Sequence, residues 1–421
     1  MAEIGVLGLG NVGTGVVEVL SRNRETIERR LGTALSVKKV LVRDLGRSRT
    51  PLVDGKTTDC PDDILGDTSI SVVVELMGGC EPALSYIRRA LAAGKSVVTA
   101  NKEVMSRYGK ELLELAHRSR VHLLFEGSVA GGIPIIRPLR ESLVANEVSS
   151  IMGILNGTTN FILTRMDEDF AELDEALKEA QRLGYAESDP TDDVSGADVA
   201  RKIAILASMA FERPVLPDAV DMTGLERISL TDLRYARELG FRVKLIGYAL
   251  RRQSEIEIAV APMLLPIAHP LAAVRDSYNA VLVEGDAVGT LMFYGRGAGG
   301  EPTASAVVSD IIEALRKPPP AEAPARARPG LDLRSCKAAV APFYIRLRVE
   351  DKPGVLAAVS AVFGQHGVSL SMVLQKERAN GLAELVIVTH EAPLGALQDA
   401  LIGIASLDVV SEVASFLRVW R

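Results

Sequence analysis

The sequence predicts an α/β protein in three parts: a parallel sheet wound by helices, a mixed α+β domain, and a small βαββαβ sandwich. Three observations predict it. Short apolar strands alternate with helical patterns up to about residue 134, the texture of a parallel sheet with helices on both faces. From residue 138 the pattern changes to strands of another kind interleaved with helices. A stretch rich in Pro and Ala, PPPAEAPARARP (318–329), then separates a last run of strand, helix, strand, strand, helix, strand. Its composition reads as a stiff spacer.

The elements follow in order. Residues 4–7 form a first strand that runs into GLGNVG, and 13–30 carry a helical pattern. Strands are expected at 37–42, 72–76, 96–99 and 121–126, with helices over 82–93 and 102–119. In the second region, 148–155, 256–262 and 280–285 read as strands, and 173–183 and 197–210 as helices. Beyond the spacer, Ile345, Leu347 and Val349 alternate on one strand face, 354–366 is an amphipathic helix, and 384–389, 394–404 and 409–417 complete a ferredoxin-like unit. The expected domains are 1–135, 136–317 (its last helix returning to the first domain), a 318–329 linker and 340–421.

Composition bounds the function. A chain of 421 residues exceeds one compact core, and 48% hydrophobic with 24% charged residues is a globular balance. The net charge of −6, without a Lys/Arg-rich tract, argues against nucleic acid as a partner. No run approaches the ~20 apolar residues of a membrane span, and MAEIGVLGLGNVG lacks the basic start of a signal peptide. Cys60, Cys80 and Cys336 are odd in number and scattered, so neither a disulfide framework nor a zinc cluster is expected. The expected compartment is the cytoplasm.

Two motifs carry chemistry. Gly8, Gly10 and Gly13 form GxGxxG between a strand and a helix. The first glycine permits the turn, the second lets backbone approach a pyrophosphate, and the third lets helix and strand pack closely. The helix N-terminus offers N–H groups to the phosphates. Arg43, with Arg47 and Arg49 nearby, favours the 2′-phosphate of NADP, while Asp44 keeps NAD open. The second motif, GYAESDPTDDVSGADVARK (184–202), gathers Glu187, Asp189, Asp192, Asp193 and Asp198 before Arg201 and Lys202. Asp198 and Lys202 share a helix face. Such carboxylates suit a site that holds a small cation and moves a proton; a solvated acidic loop followed by an ordinary ion pair is the alternative.

Read together, these segments resemble homoserine dehydrogenase. The matching elements are GLGNVGTGV (8–16), TANKEVMS (99–106), EGSVAGGIPII (126–136), ILNGTTNFIL (154–163), the 184–202 block and GRGAGGEPTASAVVSD (295–310). VEDKPGVLAAVSAVFGQHGVSL (349–370) looks like an ACT regulatory domain. The resemblance implies a Rossmann domain and NAD(P)-dependent interconversion of L-aspartate 4-semialdehyde and L-homoserine, on the branch toward threonine and methionine. It gives Lys202 the proton to the alkoxide and Lys102 a second catalytic place near cofactor and substrate. Glu187, Asp193 and Asp198 become substrate-binding acids, facing the α-ammonium. Gly8, Gly10, Asn11, Val12, Gly13, Arg43, Thr99, Lys102, Gly184, Gly299 and Gly300 become the cofactor contacts. It also implies a sodium-like ion held by the Glu126 carboxylate and the carbonyls of Val129, Gly131 and Ile133.

The same resemblance implies an amino-acid effector, threonine, at the ACT domain, and a homodimer or homotetramer. Every residue matched to the chemistry precedes the spacer, so cutting near residue 326 is expected to leave a soluble, active enzyme that threonine no longer inhibits. A competing reading is an amino-acid-sensing protein with a catalytically inactive core; the presence of Lys102, Glu187, Asp198 and Lys202 together speaks against it. Aspartate-semialdehyde dehydrogenase would need a cysteine nucleophile, and none of the three stands beside a histidine.

Overall fold

The computed structural model describes residues 1–47, 49–320, 331–377 and 382–420, so most of the expected 318–329 spacer lies outside the described residues. The chain divides into two compact units. The first holds Met1–Ile151, Arg201–Pro217 and Asn279–Pro329, and the second Met152–Ala200, Asp218–Tyr278 and Gly330–Arg421.

The first unit is built on a six-stranded sheet of β1 (Ala2–Leu7), β2 (Leu35–Leu41), β3 (Thr57–Thr58), β4 (Ile70–Glu75), β5 (Ser96–Thr99) and β6 (Leu123–Leu124). The order is β3-β2-β1-β4-β5-β6, every pair parallel. Parallel strands are covered on both faces, so they read as continuous apolar runs rather than alternating ones. Ile4, Val6, Val72, Val74 and Val98 accordingly sit in one core with Val16 and Val17. The latter belong to α1 (Asn11–Arg22), which is followed by α2 (Arg24–Leu31), α3 (Asp62–Leu65), α4 (Ala83–Ala92) and α5 (Lys102–Ser119). The expected 13–30 helix is two helices, divided at Asn23 (φ −104°, ψ 19°). Asparagine competes for backbone hydrogen bonds and favours helix ends. The expected 121–126 strand is only two residues long, because Phe125 (φ −149°, ψ 32°) turns the chain into a 3-10 turn over Glu126–Ser128.

Helix α11 (Gly300–Arg316) joins this core through Ala304, Val307, Val308 and Ile311, the return expected for the last helix of the second region. The same unit carries β12 (Gly289–Arg296), nearly all of β11 (Tyr278–Gly285) and the start of β7 (Val148–Ile154), adjacent in that order.

The second unit contains α6 (Gly157–Glu168), α7 (Leu173–Arg182), α8 (Thr191–Val194) and α10 (Leu230–Glu238). Helix α9 (Ala197–Ala210) begins in it and ends in the first unit. A hairpin of two twelve-residue strands, β9 (Phe241–Arg252) and β10 (Glu255–Pro266), replaces the single strand expected at 256–262. Lys244 interrupts the apolar pattern of β9, which hid it from the sequence. Short strands β8 (Asp221–Met222) and β13 (Asp332–Leu333) pair with β10.

The C-terminal part of the second unit folds as βαββαβ: β15 (Phe343–Glu350), α12 (Val355–Gln365), β16 (Leu370–Glu377), β17 (Leu382–Thr389), α13 (Leu394–Ala405) and β19 (Val410–Val419). A two-residue β14 (Val340–Ala341) pairs with β18 (Ala392–Pro393). Alternating Phe343, Ile345, Leu347 and Val349 face α12 and α13 in a single core.

This segment is not a detached appendage, which corrects the expectation of a removable tail. Strand β19 pairs parallel with β10 at Met263↔Arg418 and Leu264↔Val419, so the two sheets run on as one. Behind them lies a buried ionic cluster. Arg346 of β15 donates to both oxygens of Asp232 on α10 (2.7 and 3.1 Å) and to Glu384 on β17 (3.1 Å). Tyr344 and Ser415 also donate to Asp232, which is fully buried. Burial alone would raise the Asp232 pKa, but Arg346 and the hydroxyls hold it below the usual carboxylate value. Arg346→Ala leaves Asp232 and Glu384 buried without their cation, a loss of about 3–5 kcal/mol for a broken buried pair. Urea denaturation should register that loss, and a chain ending before Leu331 should be poorly soluble. A truncated protein as stable as the full chain would show that the seam contributes little.

Candidate active site

In the first unit, the turn between β1 and α1 has the geometry that the glycines foretell. Gly8 has φ +97°, and a Cβ there would stand 2.8 Å from the Leu76 carbonyl oxygen. At Gly13 a Cβ would lie 2.4 Å from the Gly8 carbonyl oxygen, whereas nothing lies within 4 Å of one at Gly10. Two glycines therefore let the chain pack, and the middle one faces open space where a pyrophosphate can approach. Gly10 is the N-cap of α1 and no side chain caps that end, so Asn11, Val12 and Gly13 present first-turn N–H groups to an anion. Helix α11 starts against the same turn. A Cβ at Gly300 would lie 2.8 Å from the Asn11 carbonyl oxygen, and one at Gly15 equally close to that of Gly300. Its N-cap, Gly299, has φ +113°.

After β2 the chain presents Arg43, exposed, and then a cleft of about 300 Å³ lined by Arg47, Arg49 and Asp54. Asp44 accepts the Gly46 N–H at 2.8 Å, and Arg49 donates to the carbonyls of Arg47 and Asp44.

The ends of β4 and β5 are organised by a residue that the sequence reading passed over. Glu75 is fully buried and accepts the Thr99 hydroxyl (2.6 Å) and the Met77 N–H (2.7 Å). Burial pushes its pKa up. Asn101 caps α5 by accepting the Val104 N–H at 3.1 Å and donates to the Gly79 carbonyl at 2.7 Å. Lys102 is thereby fixed as the first residue of α5 and is half-buried. Lys202, on α9, is 8% exposed.

The loop from Glu126 is held by carboxylates. Glu126 accepts the N–H groups of Ile135 (2.6 Å), Ile136 (2.8 Å) and Arg137 (2.8 Å). Its own N–H goes to Asp310 at 2.8 Å, and Arg137 bridges Asp310 and Glu313. Burial drives Asp310 up to about 7. Ala130 (φ +55°) and Gly131 (φ +54°) are consecutive left-handed residues, and Val129 and Ile133 flank them, both buried. A Cβ at Gly131 would stand 2.5 Å from the Gly297 carbonyl oxygen. The carbonyls of Val129, Gly131 and Ile133 accept none of the described backbone hydrogen bonds.

In the second unit, the acidic block separates into roles. Asp189, just ahead of the short helix α8, accepts the Thr191 hydroxyl (2.6 Å) and N–H (3.1 Å), which lowers its pKa. Asp193 and Asp198 are brought together by Asn156, whose amide donates to the first at 2.7 Å and to the second at 2.9 Å. Asn156 is also the N-cap of α6, accepting the Thr159 N–H at 2.8 Å. Asp198 is 2% exposed, Asp193 half-buried, and Glu187 exposed. Gly184 turns the chain after α7 with φ +76°. The sequence named both acids but not the asparagine, although Asn before Gly-Thr-Thr is an N-cap signature that could have singled it out.

The NAD-binding domain of homoserine dehydrogenase matches residues 8–126, its catalytic domain residues 134–312, and an ACT domain residues 343–405. The homoserine dehydrogenase of Synechocystis is 45% identical over 437 residues, covering 99% of both chains. The chain belongs to the homoserine dehydrogenase family. A crystal structure of a homoserine dehydrogenase from Thiobacillus denitrificans has a TM-score of 0.94 at 41% identity, covering 100% of this chain and 98% of that one. A hyperthermophilic archaeal homoserine dehydrogenase mutant in complex with NADPH has a TM-score of 0.64 at 29% identity, covering 76% of this chain and 99% of its own. Members of this family are NAD(P)-dependent oxidoreductases of a small-molecule substrate. Among the described residues no helix is long and apolar enough to cross a membrane.

Because a Cβ at Gly13 meets backbone rather than a pliant side chain, Gly13→Ala should displace the Gly8 turn. Dinucleotide affinity should fall at least about tenfold, the ~1.4 kcal/mol lost with even one charge-assisted phosphate contact. Fluorescence titration with NADPH on protein of unchanged circular dichroism tests this; unaltered affinity would remove the turn from cofactor binding.

Proposed function

We propose that the first unit carries NAD(P) on the Gly8, Gly10, Asn11, Val12 and Gly13 turn, with Thr99, Lys102, Gly299 and Gly300 as further contacts. The second unit takes the amino-acid end of homoserine on Glu187, Asp193 and Asp198. The observation that carries the reading is the Asn156 amide between Asp193 and Asp198. An asparagine that caps a helix and grips two acids fixes a carboxylate pair suited to an α-ammonium group.

Bound NAD(P) supplies the hydride. Reduction of the aldehyde leaves an alkoxide that must gain a proton, and Lys202 is the group assigned to give it. Lys102, at the start of α5, is assigned to the developing oxyanion or a cofactor phosphate. For the cofactor we favour NADP: Arg43, Arg47 and Arg49 lie at the end of β2 where a 2′-phosphate would rest, and Asp44 is already engaged by the Gly46 N–H.

The Glu126 loop also fits a monovalent cation, with one change from expectation. Three backbone N–H groups claim the Glu126 carboxylate, so a sodium ion would rely chiefly on the carbonyls of Val129, Gly131 and Ile133. Consecutive left-handed residues bend the loop as converging carbonyls require, and hard cations prefer oxygen. Threonine at the ACT domain, near the open N-terminus of α12 at Gly354 (φ +92°), remains our reading of the effector. We assign the enzyme to the cytoplasm as a homodimer or homotetramer.

Absorbance at 340 nm with homoserine and NADP or NAD tests the activity, and parallel titrations test preference and threonine inhibition. Lys202→Ala should retain cofactor binding while kcat falls roughly 10²–10⁴-fold, the range for a lost general acid. Near wild-type turnover would remove Lys202 from the mechanism. Glu187→Gln should raise KM for homoserine well above any effect on KM for the cofactor; equal effects would mean that the residue shapes the loop instead.

A further inference from the structure

Lys244 stands in β9 at 5% exposure, where an ammonium has lost nearly all its water. Its Nζ donates to Asn160 Oδ1 at 2.9 Å and to the Val274 carbonyl. The amide of Asn160 in turn donates to the carbonyls of Asp276 (2.9 Å), Tyr278 (3.1 Å) and Val274 (3.4 Å). One turn on, Thr164 donates to the Asn160 carbonyl (2.7 Å) and accepts the Asp276 N–H (3.1 Å). Asp276 has φ +51°, a conformation that an L-residue seldom adopts, and α6 holds both its N–H and its carbonyl. Helix α6 is therefore fastened to β9 and to the 274–278 segment along one face.

Asn160 lies four residues beyond Asn156, so the two share that face of the helix start. Asn156 is the group that grips Asp193 and Asp198. We propose that Lys244 is a positioning residue: through Asn160 it sets the first turn of α6, and with it the Asn156 amide that orients the Asp193 and Asp198 carboxylates. The proposal rests on the reading of those two acids as ligands of the substrate's ammonium.

Lysine suits the position. Burial lowers its pKa to about 7; Arg242 and Arg275 act in the same direction, while Glu168 and Asp276 oppose them. A neutral amine keeps two N–H groups, which match the two acceptors that Lys244 meets, so the clamp holds on both sides of that pKa. Arginine is always charged and larger, and methionine has the length without a donor.

The full-length enzyme tests the proposal. Lys244→Met should raise KM for homoserine about tenfold to hundredfold, the effect of a shift of ~1 Å at a positioned group. KM for the cofactor should stay within about twofold, since its contacts lie elsewhere. Lys244→Met and Asn160→Ala should be strongly non-additive, because they cut the same chain of bonds. A merely structural lysine would lower the melting temperature and the active fraction while leaving both KM values unchanged, and that result overturns the proposal. So does an equal rise in both. If Lys244→Met does not fold, Thr164→Val loosens the same tether, and the same split in KM decides. Asp198→Asn separates the two readings. If it leaves KM for homoserine unchanged, the acids are not substrate ligands and both readings fall. If it raises that KM and Lys244→Met does not, only the positioning role fails.

Discussion

A carboxylate removed from water must be met by donors, and this constraint shapes the structure at each of its buried acids named above. Desolvation disfavours the charged form by several kcal/mol unless hydrogen bonds replace the lost water. Asp232 meets Arg346, Tyr344 and Ser415; Glu126 meets three backbone N–H groups; Glu75 meets Thr99 and the Met77 N–H; Asp198 meets Asn156. Each set of partners comes from a different stretch of chain, so each acid ties loops or elements together as a condition of its own burial.

The choice of partner separates their consequences. Asp232 meets a guanidinium, and the pair binds α10 to β15 and β17 within the second unit. An amide or a backbone N–H orients a carboxylate without bringing a charge of its own. Backbone N–H groups hold Glu126 that way, and the Asn156 amide is among the partners of Asp198; the two acids belong to the loops assigned to a cation and to an ammonium. Asp310, lying between the Glu126 N–H and Arg137, is 2% exposed, and that burial lifts it to about 7.

What the sequence could reveal follows the range of the interactions. The glycine turn was readable because Gly8 and Gly13 answer a constraint between neighbours five residues apart. The βαββαβ unit was readable because its apolar alternation is local. The grip of Asn156 on Asp193 and Asp198 spans 37 and 42 residues, and that of Arg346 on Asp232 spans 114; no periodicity records such contacts. The spacer of Pro and Ala suggested independence of the tail, but composition describes the connection and says nothing of the β10–β19 pairing that joins the sheets. Strand β9 went unread for a related reason: its buried Lys244 is accommodated by Asn160 and the Val274 carbonyl, contacts 84 and 30 residues away in the chain.

Helix α6 shows why a residue remote from the chemistry can matter to it. A helix start is cheap to move, since its first N–H groups have no intrahelical partners and its cap contributes only about 1 kcal/mol. Left to Asn156 alone, the first turn would be free to fray, and the amide between the two acids would move with it. Asn160 and Thr164 prevent this by fastening the next turn to the 274–278 segment, where the left-handed Asp276 fits because both of its backbone groups are claimed. Position at the acid pair is thus set by bonds one turn away, and Lys244 closes that arrangement from β9. Hydrogen bonds are concentrated just behind the two carboxylates, where a fixed separation would serve the α-ammonium ligand proposed for them.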